Sequence, residues 1–217
     1  MIHITKGEEP KELTIYKNSD DINKSYKCFR DKDAIREALL KEQGYLCAYC
    51  MRAIGYDRSK WFREVRIEHY RCRDDFTHLQ LEYLNMFAVC TCSDGLSKKE
   101  AHCDASKKNL YIHIDPKNNN HILTLRYSEG GILSTDQQFA EDVENTLGLN
   151  RSTLPTERRD ILNNAILQMK IQLDRGIEKD QIISKTLHIY GSNDRDGRRR
   201  PFCGIVMAYC EKLNKLS

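Results

Sequence analysis

Two of the nine cysteines in this 217-residue chain, Cys47 and Cys50, are separated by only two residues. Two thiolates at this spacing can bind one metal ion from a single tight turn. Because a structural zinc ion takes four nitrogen or sulfur ligands, a second pair must come from further along the chain. The candidates for that pair are Cys90, Cys92, His102 and Cys103. The spacing therefore predicts a zinc site. A thioredoxin-like redox site is the alternative, although the strand–helix–strand pattern that it needs is missing.

An acidic residue directly precedes a histidine in the segment 65–71, where apolar and charged residues alternate as in a short β-strand. In Glu68 and His69, a carboxylate that can bind a hard divalent cation adjoins an imidazole that can accept a proton from water. Successive side chains of a strand point to opposite faces, so both reach one site only if the strand is locally distorted. Taken alone, the pair is more typical of a histidine in the core whose ring forms a hydrogen bond with Glu68 and takes no part in catalysis.

The hydrophobic pattern predicts the elements that position these residues. A helix is expected from Asp33, as its N-cap, to Gly44, which can end it. The sequence Ser128-Glu129-Gly130-Gly131 between two apolar runs, 122–126 and 132–133, predicts a β-hairpin. The helical spacing of apolar residues then predicts four further helices. They cover 136–148, 156–175, 177–190 and 202–216.

These predictions divide the chain into three parts. Residues 1–32 are polar and poor in strand-forming residues, which favours an N-terminal arm. Residues 33–117 hold the candidate zinc ligands and form the predicted metal-binding module. Residues 118–217 contain the hairpin and the helices, and one of their apolar faces is a candidate docking surface for a partner.

Composition excludes several classes of protein. Forty per cent of the residues are apolar, which is enough to bury a core. The longest apolar run, at about 205–210, is far shorter than the ~20 residues that span a bilayer, so no membrane association is expected. The stretch 1–8 lacks the apolar segment of a secretory signal, so a cytoplasmic location with reduced thiols is expected. The other cysteines are expected to be buried thiols. They are Cys28, Cys72, Cys203 and Cys210.

The net charge of +3, from 35 basic and 32 acidic residues, hides an uneven distribution. Basic residues crowd the approach to His69 and flank Asp104. They are Arg58, Lys60, Arg63, Arg66, Arg71, Arg73, Lys98, Lys99, Lys107 and Lys108. Because such local charge attracts phosphate groups, the pattern predicts a basic rim that binds nucleic acid without reading its sequence.

Four motifs, in their order along the chain, resemble the motif series of the HNH nuclease family. They are the Cys-x-x-Cys pair, Glu68-His69, Leu84-Asn85-Met86-Phe87 and Cys103-Asp104-Ala105-Ser106-Lys107. The resemblance implies an α+β fold with a ββα-metal core, and an endonuclease that hydrolyses phosphodiester bonds with Mg²⁺ or Mn²⁺. It also places four cysteines at the positions of a structural Zn²⁺. These are Cys47, Cys50, Cys90 and Cys103.

The resemblance implies a role for each further residue of these motifs. His69 is the general base, and Glu68 and Asp104 are ligands of the catalytic Mg²⁺ or Mn²⁺. Asn85 holds its loop and orients the His69 ring, and Lys107 contacts a phosphate. The residues alone leave other interpretations open: Asn85 as a turn cap, Asp104 as the N-cap of the following helix and Lys107 as a solvated helix charge.

The sequence departs from the family pattern at three points. Glu68 replaces an Asp, Asp104 replaces a His or Asn, and twelve residues, 91–102, separate the last two zinc cysteines where two are usual. The first two changes retain an oxygen ligand for a hard cation. The insertion makes Cys92 and His102 alternative ligands of the zinc ion.

A narrower resemblance runs from about residue 33 to residue 213 and involves the retron- and Septu-associated HNH proteins, called PtuB. Its segments are Ile67-Glu68-His69-Tyr70-Arg71, His102-Cys103-Asp104 with Lys107, Ile114-Asp115-Pro116, Thr146-Leu147-Gly148-Leu149-Asn150 with Arg158, and Pro201-Phe202-Cys203-Gly204-Ile205-Val206. It implies an anti-phage defence nuclease that acts with an ABC-type ATPase subunit, and through that subunit with a retron reverse transcriptase and its DNA product. Either DNA or RNA is compatible as substrate. The alternative function is a non-catalytic zinc module that binds nucleic acid or a protein partner.

Overall fold

The candidate zinc ligands lie around a two-stranded antiparallel sheet. In the computed structural model, which describes residues 1–215, strand β1 (Val65–His69) pairs with strand β2 (Met86–Cys90). The register sets Val65 opposite Cys90, so the start of one strand meets the end of the other. Every residue of β2 is buried, which explains why its sequence is apolar throughout rather than alternating.

Helices surround this sheet and a second, later one. In chain order the α-helices are α1 (Lys11–Asn18), α2 (Lys32–Glu42), α3 (Trp61–Glu64), α4 (Asp104–Lys107), α5 (Asn119–Ile122), α6 (Gln137–Glu141), α7 (Leu154–Asp174), α8 (Lys179–Gly191) and α9 (Cys203–Asn214). The combination of small sheets and helices confirms the predicted mixed α+β class. Over residues 1–215, none of the helices has both the length and the apolar character that crossing a membrane requires.

Helix α2 confirms the helix predicted over 33–44, with shifted ends. Its N-cap is Asp31, whose carboxylate accepts a hydrogen bond from the backbone of the first turn. The predicted N-cap, Asp33, lies inside that turn instead. Gly44 follows the end of the helix with a φ of 61°, a left-handed conformation that glycine adopts at little cost.

The predicted hairpin is confirmed as strands β3 (Leu125–Ser128) and β4 (Gly131–Ser134). Glu129 and Gly130 form its two-residue turn, with φ of 50° and 89°. Positive φ at both positions gives the turn a twist that matches the twist of the strands. Residues 122–124, predicted as strand, belong to the end of α5 and the turn after it.

The later helices follow the predicted pattern, with one change of geometry. The segment predicted as a helix over 136–148 begins as α6, which is capped by the Asp136 carboxylate, and continues as a π-helix over Asp142–Thr146. The helix predicted over 202–216 is α9. Leu216, at the end of that prediction, lies outside the described residues.

The segment 1–32, predicted to be a polar arm, carries α1 and packs into the core. Its buried apolar residues are Met1, Ile4, Leu13, Tyr26 and Phe29. Lys6 forms an ion pair with Glu42 of α2 and donates a hydrogen bond of 2.9 Å to the backbone oxygen of Met86 in β2. One hydrophobic cluster contains residues from all three predicted parts of the chain.

Candidate metal centre and acid–histidine site

The four cysteines predicted to bind zinc lie together in the interior. Their Sγ atoms all lie within 4.8 Å of one another, with 3.8 Å between Cys47 and Cys103 and 3.7 Å between Cys50 and Cys90. Four sulfur ligands at the usual Zn–S distance of about 2.3 Å stand about 3.8 Å apart at the corners of a tetrahedron. This four-thiol cluster can therefore hold a metal ion such as zinc. All nine cysteines are free thiols, as predicted, although Cys28 is exposed rather than buried.

Backbone hydrogen bonds shape the turn that carries Cys47 and Cys50. The N–H of Cys47 donates to the backbone oxygen of Arg52 at 2.9 Å, which closes the turn. The N–H of Ala48 donates to the backbone oxygen of Ala88 at 3.1 Å. The turn is thereby fixed beside β2, the strand that ends in the third thiol of the cluster.

The twelve-residue insertion does not separate the last two thiols because its ends are tied together. The Ser93 hydroxyl donates to the backbone oxygen of His102 at 2.8 Å and accepts from its N–H at 3.1 Å. Residues 94–100, between these tied ends, are exposed. Cys90 and Cys103 therefore converge as they would across a short connection.

Cys92 and His102, the alternative zinc ligands, form a second cluster with Cys90 beside the four-thiol cluster. The Arg52 guanidinium reaches both of them, at 2.9 Å from the Cys92 Sγ and 3.1 Å from the His102 Nε2. Hydrogen bonds with Cys90, His102 and Arg52 lower the pKa of Cys92 to about 4, although burial opposes the shift. The His102 Nδ1 lies 3.2 Å from the Cys103 Sγ. Both side chains therefore support the four thiols from outside, as the partners of metal ligands commonly do.

A buried arginine independently indicates negative charge at this centre. Arg158 is fully buried, and its terminal nitrogens donate to two backbone carbonyl groups at 3.0 and 2.7 Å. Among the described residues no carboxylate pairs with it, and its Nε has no hydrogen-bond partner. Burial lowers the pKa of the guanidinium, whereas Tyr127, Cys50 and Cys103 raise it. Since four thiolates around a divalent zinc ion leave two negative charges, the thiolates of a zinc-bound centre would supply the counter-charge that this cation needs.

The acid–histidine pair at the end of β1 is buried against α4. Glu68 and His69 each expose only 5% of their surface. The Lys107 Nζ lies 2.7 Å from the Glu68 Oε1 and donates to the backbone oxygen of His69 at 3.2 Å. Lys107 is fully buried, so the alternative of a solvated helix charge is wrong, whereas its predicted phosphate contact stays a prediction. In this structure it holds the Glu68 carboxyl group in place.

The Glu68 carboxyl group accepts a hydrogen bond of 3.3 Å from the Tyr49 hydroxyl and lies near the Asp104 carboxyl group. Burial and the neighbouring Asp104 carboxyl group raise the pKa of Glu68 to about 8, against the opposing effect of Lys107. Arg66 forms an ion pair with Asp104. The N-cap of α4 is Cys103, so the interpretation of Asp104 as an N-cap is wrong.

Two adjacent carboxyl groups fit a hard divalent cation, which binds carboxylate oxygens and removes their repulsion. Glu68 and Asp104 are the residues that would hold it. Among residues 1–215, however, groups of three or more metal-binding side chains occur only at the two cysteine clusters. The catalytic Mg²⁺ or Mn²⁺ therefore stays a prediction.

A single hydrogen bond sets the proton position on the His69 ring. The Nε2 atom lies 3.0 Å from the backbone oxygen of Gln80. Because a carbonyl oxygen can only accept, Nε2 carries the proton and Nδ1 keeps its lone pair. Burial lowers the pKa of His69 to about 4. The ring is thus neutral at neutral pH and can accept a proton at Nδ1.

Asn85 holds the loop between β1 and β2 but does not hydrogen-bond to the His69 ring. Its amide donates to the backbone oxygens of Arg71 and Leu79 at 3.0 and 3.2 Å and accepts from the N–H of Arg71 at 2.8 Å. The predicted orientation of the ring by Asn85 is therefore wrong, and the backbone of Gln80 orients it instead. Sequence reasoning could not identify Gln80, because any residue supplies a backbone carbonyl.

Several cations of the predicted basic rim form ion pairs with other residues of the chain, or are buried. Arg58 pairs with Glu37 and Lys60 with Asp57, each at 3.2 Å, and Lys107 is buried. Over residues 1–215, the exposed members of the rim without an ion pair are Arg63, Arg73, Lys98, Lys99 and Lys108. The local positive charge is consequently smaller than the sequence suggests.

No family model matches this chain, and no curated protein matches it either. The geometry of the four thiols, the two carboxyl groups and the neutral imidazole is therefore the basis for a functional proposal.

We expect the contribution of Glu68 to the stability of the fold to decrease as the pH rises from 6.5 to 8, opposite to the contribution of Cys92, whose lowered pKa makes the stability rise with pH. The Glu68 pKa of about 8 lies above its ordinary value of 4.5, so in this interval the folded chain holds a proton that the unfolded chain has released. Each pH unit then costs up to about 1.4 kcal/mol. The lowered pKa of His69 makes the stability rise with pH, but only between this pKa of about 4 and the ordinary value of 6.5.

Urea unfolding at several pH values, without added divalent cations, measures this slope. Relative to the wild type, Glu68→Gln should make the slope more positive by up to about 1.4 kcal/mol per pH unit between pH 6.5 and 8, because the amide does not titrate. The matched control is Glu64→Gln, an exposed site four residues away, which should keep the wild-type slope. An unchanged slope in Glu68→Gln would show that another group is responsible.

Proposed function

We propose that the chain is a zinc-stabilised, metal-dependent HNH-type endonuclease that hydrolyses phosphodiester bonds of nucleic acid. The observation that carries the proposal is a neutral, oriented imidazole, His69, on which the charges of Asp104 and Lys107 act, at the strand end that also carries the Glu68 carboxyl group. In this proposal β1, β2 and α4 form the ββα-metal core. The four-thiol cluster then holds the ends of that core together and takes no part in the chemistry.

Each residue has a separate task in the proposed reaction. His69 accepts a proton from the attacking water at Nδ1, a contribution typically of about 10²–10⁴-fold. The Gln80 carbonyl keeps the ring oriented while its charge changes. A divalent cation held by Glu68 and Asp104 would polarise the phosphoryl oxygen and stabilise the charge that develops there. Lys107 positions the Glu68 carboxyl group, and Asn85 positions the loop that contains Gln80.

The biological setting is proposed from the motif resemblance alone. The order of segments similar to PtuB supports a role in anti-phage defence with an ABC-type ATPase subunit. The same resemblance supports an association, through that subunit, with a retron reverse transcriptase and its DNA product. DNA and RNA are both compatible with the site, since the reacting phosphodiester is common to them.

One observation favours a second candidate, a non-catalytic zinc module that binds nucleic acid or a protein. Glu68 and His69 are nearly inaccessible, and Lys107 already provides Glu68 with a cation. A site that stays closed in this way could not admit a phosphodiester. The two candidates differ in whether His69 is needed for cleavage.

We expect His69→Ala to reduce nucleic-acid cleavage by at least about 10²-fold, because the general base is lost. Cleavage of labelled DNA and RNA in Mg²⁺ or Mn²⁺, with and without the ATPase subunit, measures the effect. Zinc content should remain that of the wild type, and the variant should stay folded, with a lower melting temperature because a buried ring is removed. His78→Ala removes an exposed histidine and should retain full activity.

Full activity of His69→Ala would contradict the nuclease proposal as stated here. Absence of cleavage by the wild-type chain together with its ATPase subunit would favour the non-catalytic zinc module.

A further inference from the structure

The proposed catalytic histidine is covered by a residue from the N-terminal part of the chain. The ring of Tyr26 meets the ring of His69 edge-on, with 4.5 Å between centroids. Tyr26 exposes only 8% of its surface and His69 only 5%. A general base must come within hydrogen-bond distance of the water that it deprotonates. In this arrangement the Tyr26 ring restricts access to one side of the imidazole.

The same tyrosine lies against two cations near the site. The Lys32 Nζ lies 5.0 Å from the centroid of the Tyr26 ring, and the Arg73 Cζ lies 4.9 Å from it. Cations at these distances are attracted to the electron-rich face of an aromatic ring. Lysine and arginine are also the side chains that bind nucleic-acid phosphates. Tyr26 therefore contacts the two cations, Lys32 and Arg73, that would otherwise bind a phosphate group approaching His69.

Gln80 connects Tyr26 to His69 through two different groups. Its side-chain oxygen accepts a hydrogen bond of 3.1 Å from the N–H of Tyr26, and its backbone oxygen accepts from the His69 Nε2 at 3.0 Å. Displacement of Tyr26 would break only the side-chain contact. The His69 ring would keep its orientation, so the site would be ready for reaction once uncovered.

The covering segment, residues 19–31, is weakly attached. It contains turns and bends but no helix or strand, and only Tyr26 and Phe29 in it are buried. Among the described residues, the bond from Tyr26 to Gln80 is its one hydrogen bond to the loop between β1 and β2. Helices α1 and α2 flank the segment and provide fixed ends. A segment with few buried contacts can open at a lower free energy than the core.

We propose that residues 19–31 form an inhibitory lid over His69, and that a nucleic-acid phosphate opens it by replacing Tyr26 between Lys32 and Arg73. The inference rests on the proposed function of His69 and adds its regulation. The lid accounts for a site that has the groups for catalysis and yet is closed in the isolated chain.

The accessibility of His69 tests the lid without any need for activity. Diethyl pyrocarbonate modifies neutral imidazole groups, and site-resolved mass spectrometry gives the rate for each histidine. In the wild type, His69 should react much more slowly than the exposed His78. Tyr26→Ala should accelerate modification of His69 by about tenfold or more, since the ring and cation contacts that it removes are worth that order of free energy.

Two variants control for the loss of a tyrosine as such. Tyr26→Phe retains the ring and should keep His69 protected, and Tyr56→Ala removes an exposed tyrosine and should have no effect.

If Tyr26→Ala does not fold, Gln80→Leu provides the test. That variant removes the hydrogen bond to Tyr26, retains the backbone oxygen that orients His69, and should also accelerate modification.

Rapid modification of His69 in the wild type would overturn the lid, as would unchanged protection in the folded Tyr26→Ala or Gln80→Leu variant. Cleavage assays on the same variants separate this inference from the proposed function. Increased accessibility with increased cleavage supports both. Increased accessibility without cleavage supports the lid and counts against the nuclease.

Discussion

Cys50→Ser is expected to abolish stoichiometric zinc binding and to unfold the chain at ordinary temperature. Cys50 is buried in the four-thiol cluster, 3.7 Å from the Cys90 Sγ, and its loss leaves three of the four thiols. Structural zinc contributes about 10–16 kcal/mol of apparent binding free energy in zinc-finger peptides. That is at least as large as the whole stability of a typical domain, about 5–15 kcal/mol.

Elemental analysis and thermal unfolding followed by circular dichroism measure this result. The matched control is Cys92→Ser, because Cys92 lies beside the four-thiol cluster and is held by Arg52. We expect Cys92→Ser to retain one zinc ion per chain and a nearly unchanged melting temperature. Loss of zinc in Cys92→Ser together with its retention in Cys50→Ser would assign the site to the Cys90–Cys92–His102 cluster instead.

Arg158→Met is expected to lower the free energy of unfolding of the zinc-loaded chain by about 3–5 kcal/mol, the usual cost of leaving a buried charge unpaired. Arg158 is fully buried, and the thiols of Cys50 and Cys103 act on its charge. With zinc bound, methionine would leave the net negative centre without this cation and two backbone carbonyl groups without their donor. Without zinc, removal of an unpaired buried cation should cost little or even stabilise the fold.

Urea unfolding at saturating zinc, together with zinc competition against a chelator, tests this expectation. Arg159→Met is the matched control, since Arg159 is the exposed neighbour and donates to the backbone of Glu129. Its effect should stay within about 0.5 kcal/mol. Arg158→Lys should restore part of the loss by returning a positive charge. A zinc-loaded Arg158→Met chain as stable as the wild type would exclude Arg158 as a counter-ion of the centre.

The two predictions connect the metal centre with the helical part of the chain. Arg158 lies on α7, more than one hundred residues after Cys50, and Arg52 of the zinc turn forms an ion pair with Glu157 of the same helix. Arg158 and Glu157 therefore connect α7 to the four-thiol cluster and its turn. Zinc loss should consequently loosen the packing of α7 as well as the turn that carries Cys47 and Cys50.

Features that depend on neighbouring residues could be predicted from the amino-acid order. The Cys-x-x-Cys turn, the Glu129-Gly130 hairpin turn and the helix that precedes Gly44 follow from local backbone preferences. The mixed α+β class follows from the periodicity of apolar residues. Convergence of Cys47, Cys50, Cys90 and Cys103 was predicted from the motif resemblance, since the residues alone left Cys92 and His102 open as alternative ligands.

Features that depend on distant partners could not be predicted in the same way. Lys107 has the sequence context of a solvated helix charge, and its burial follows from Glu68, which lies nearly forty residues earlier. Arg58 lies among basic residues, a sequence context typical of a nucleic-acid contact, but it forms an ion pair with Glu37. Neither ion pair could be predicted, because its two residues are distant in sequence and come close only in the folded chain.

The amino-acid order by itself determined which residues could do chemistry: four thiols for a metal ion, and an acid–histidine pair with a second acid. The tertiary structure alone decided the state of those residues. Burial keeps His69 neutral and raises the pKa of Glu68, and the Gln80 backbone rather than Asn85 orients the ring. The tertiary structure also laid Tyr26 over the ring, although residues 1–32 had the composition of a polar arm. The physical reason is that protonation and accessibility depend on desolvation and on close contacts, which only the packed chain creates.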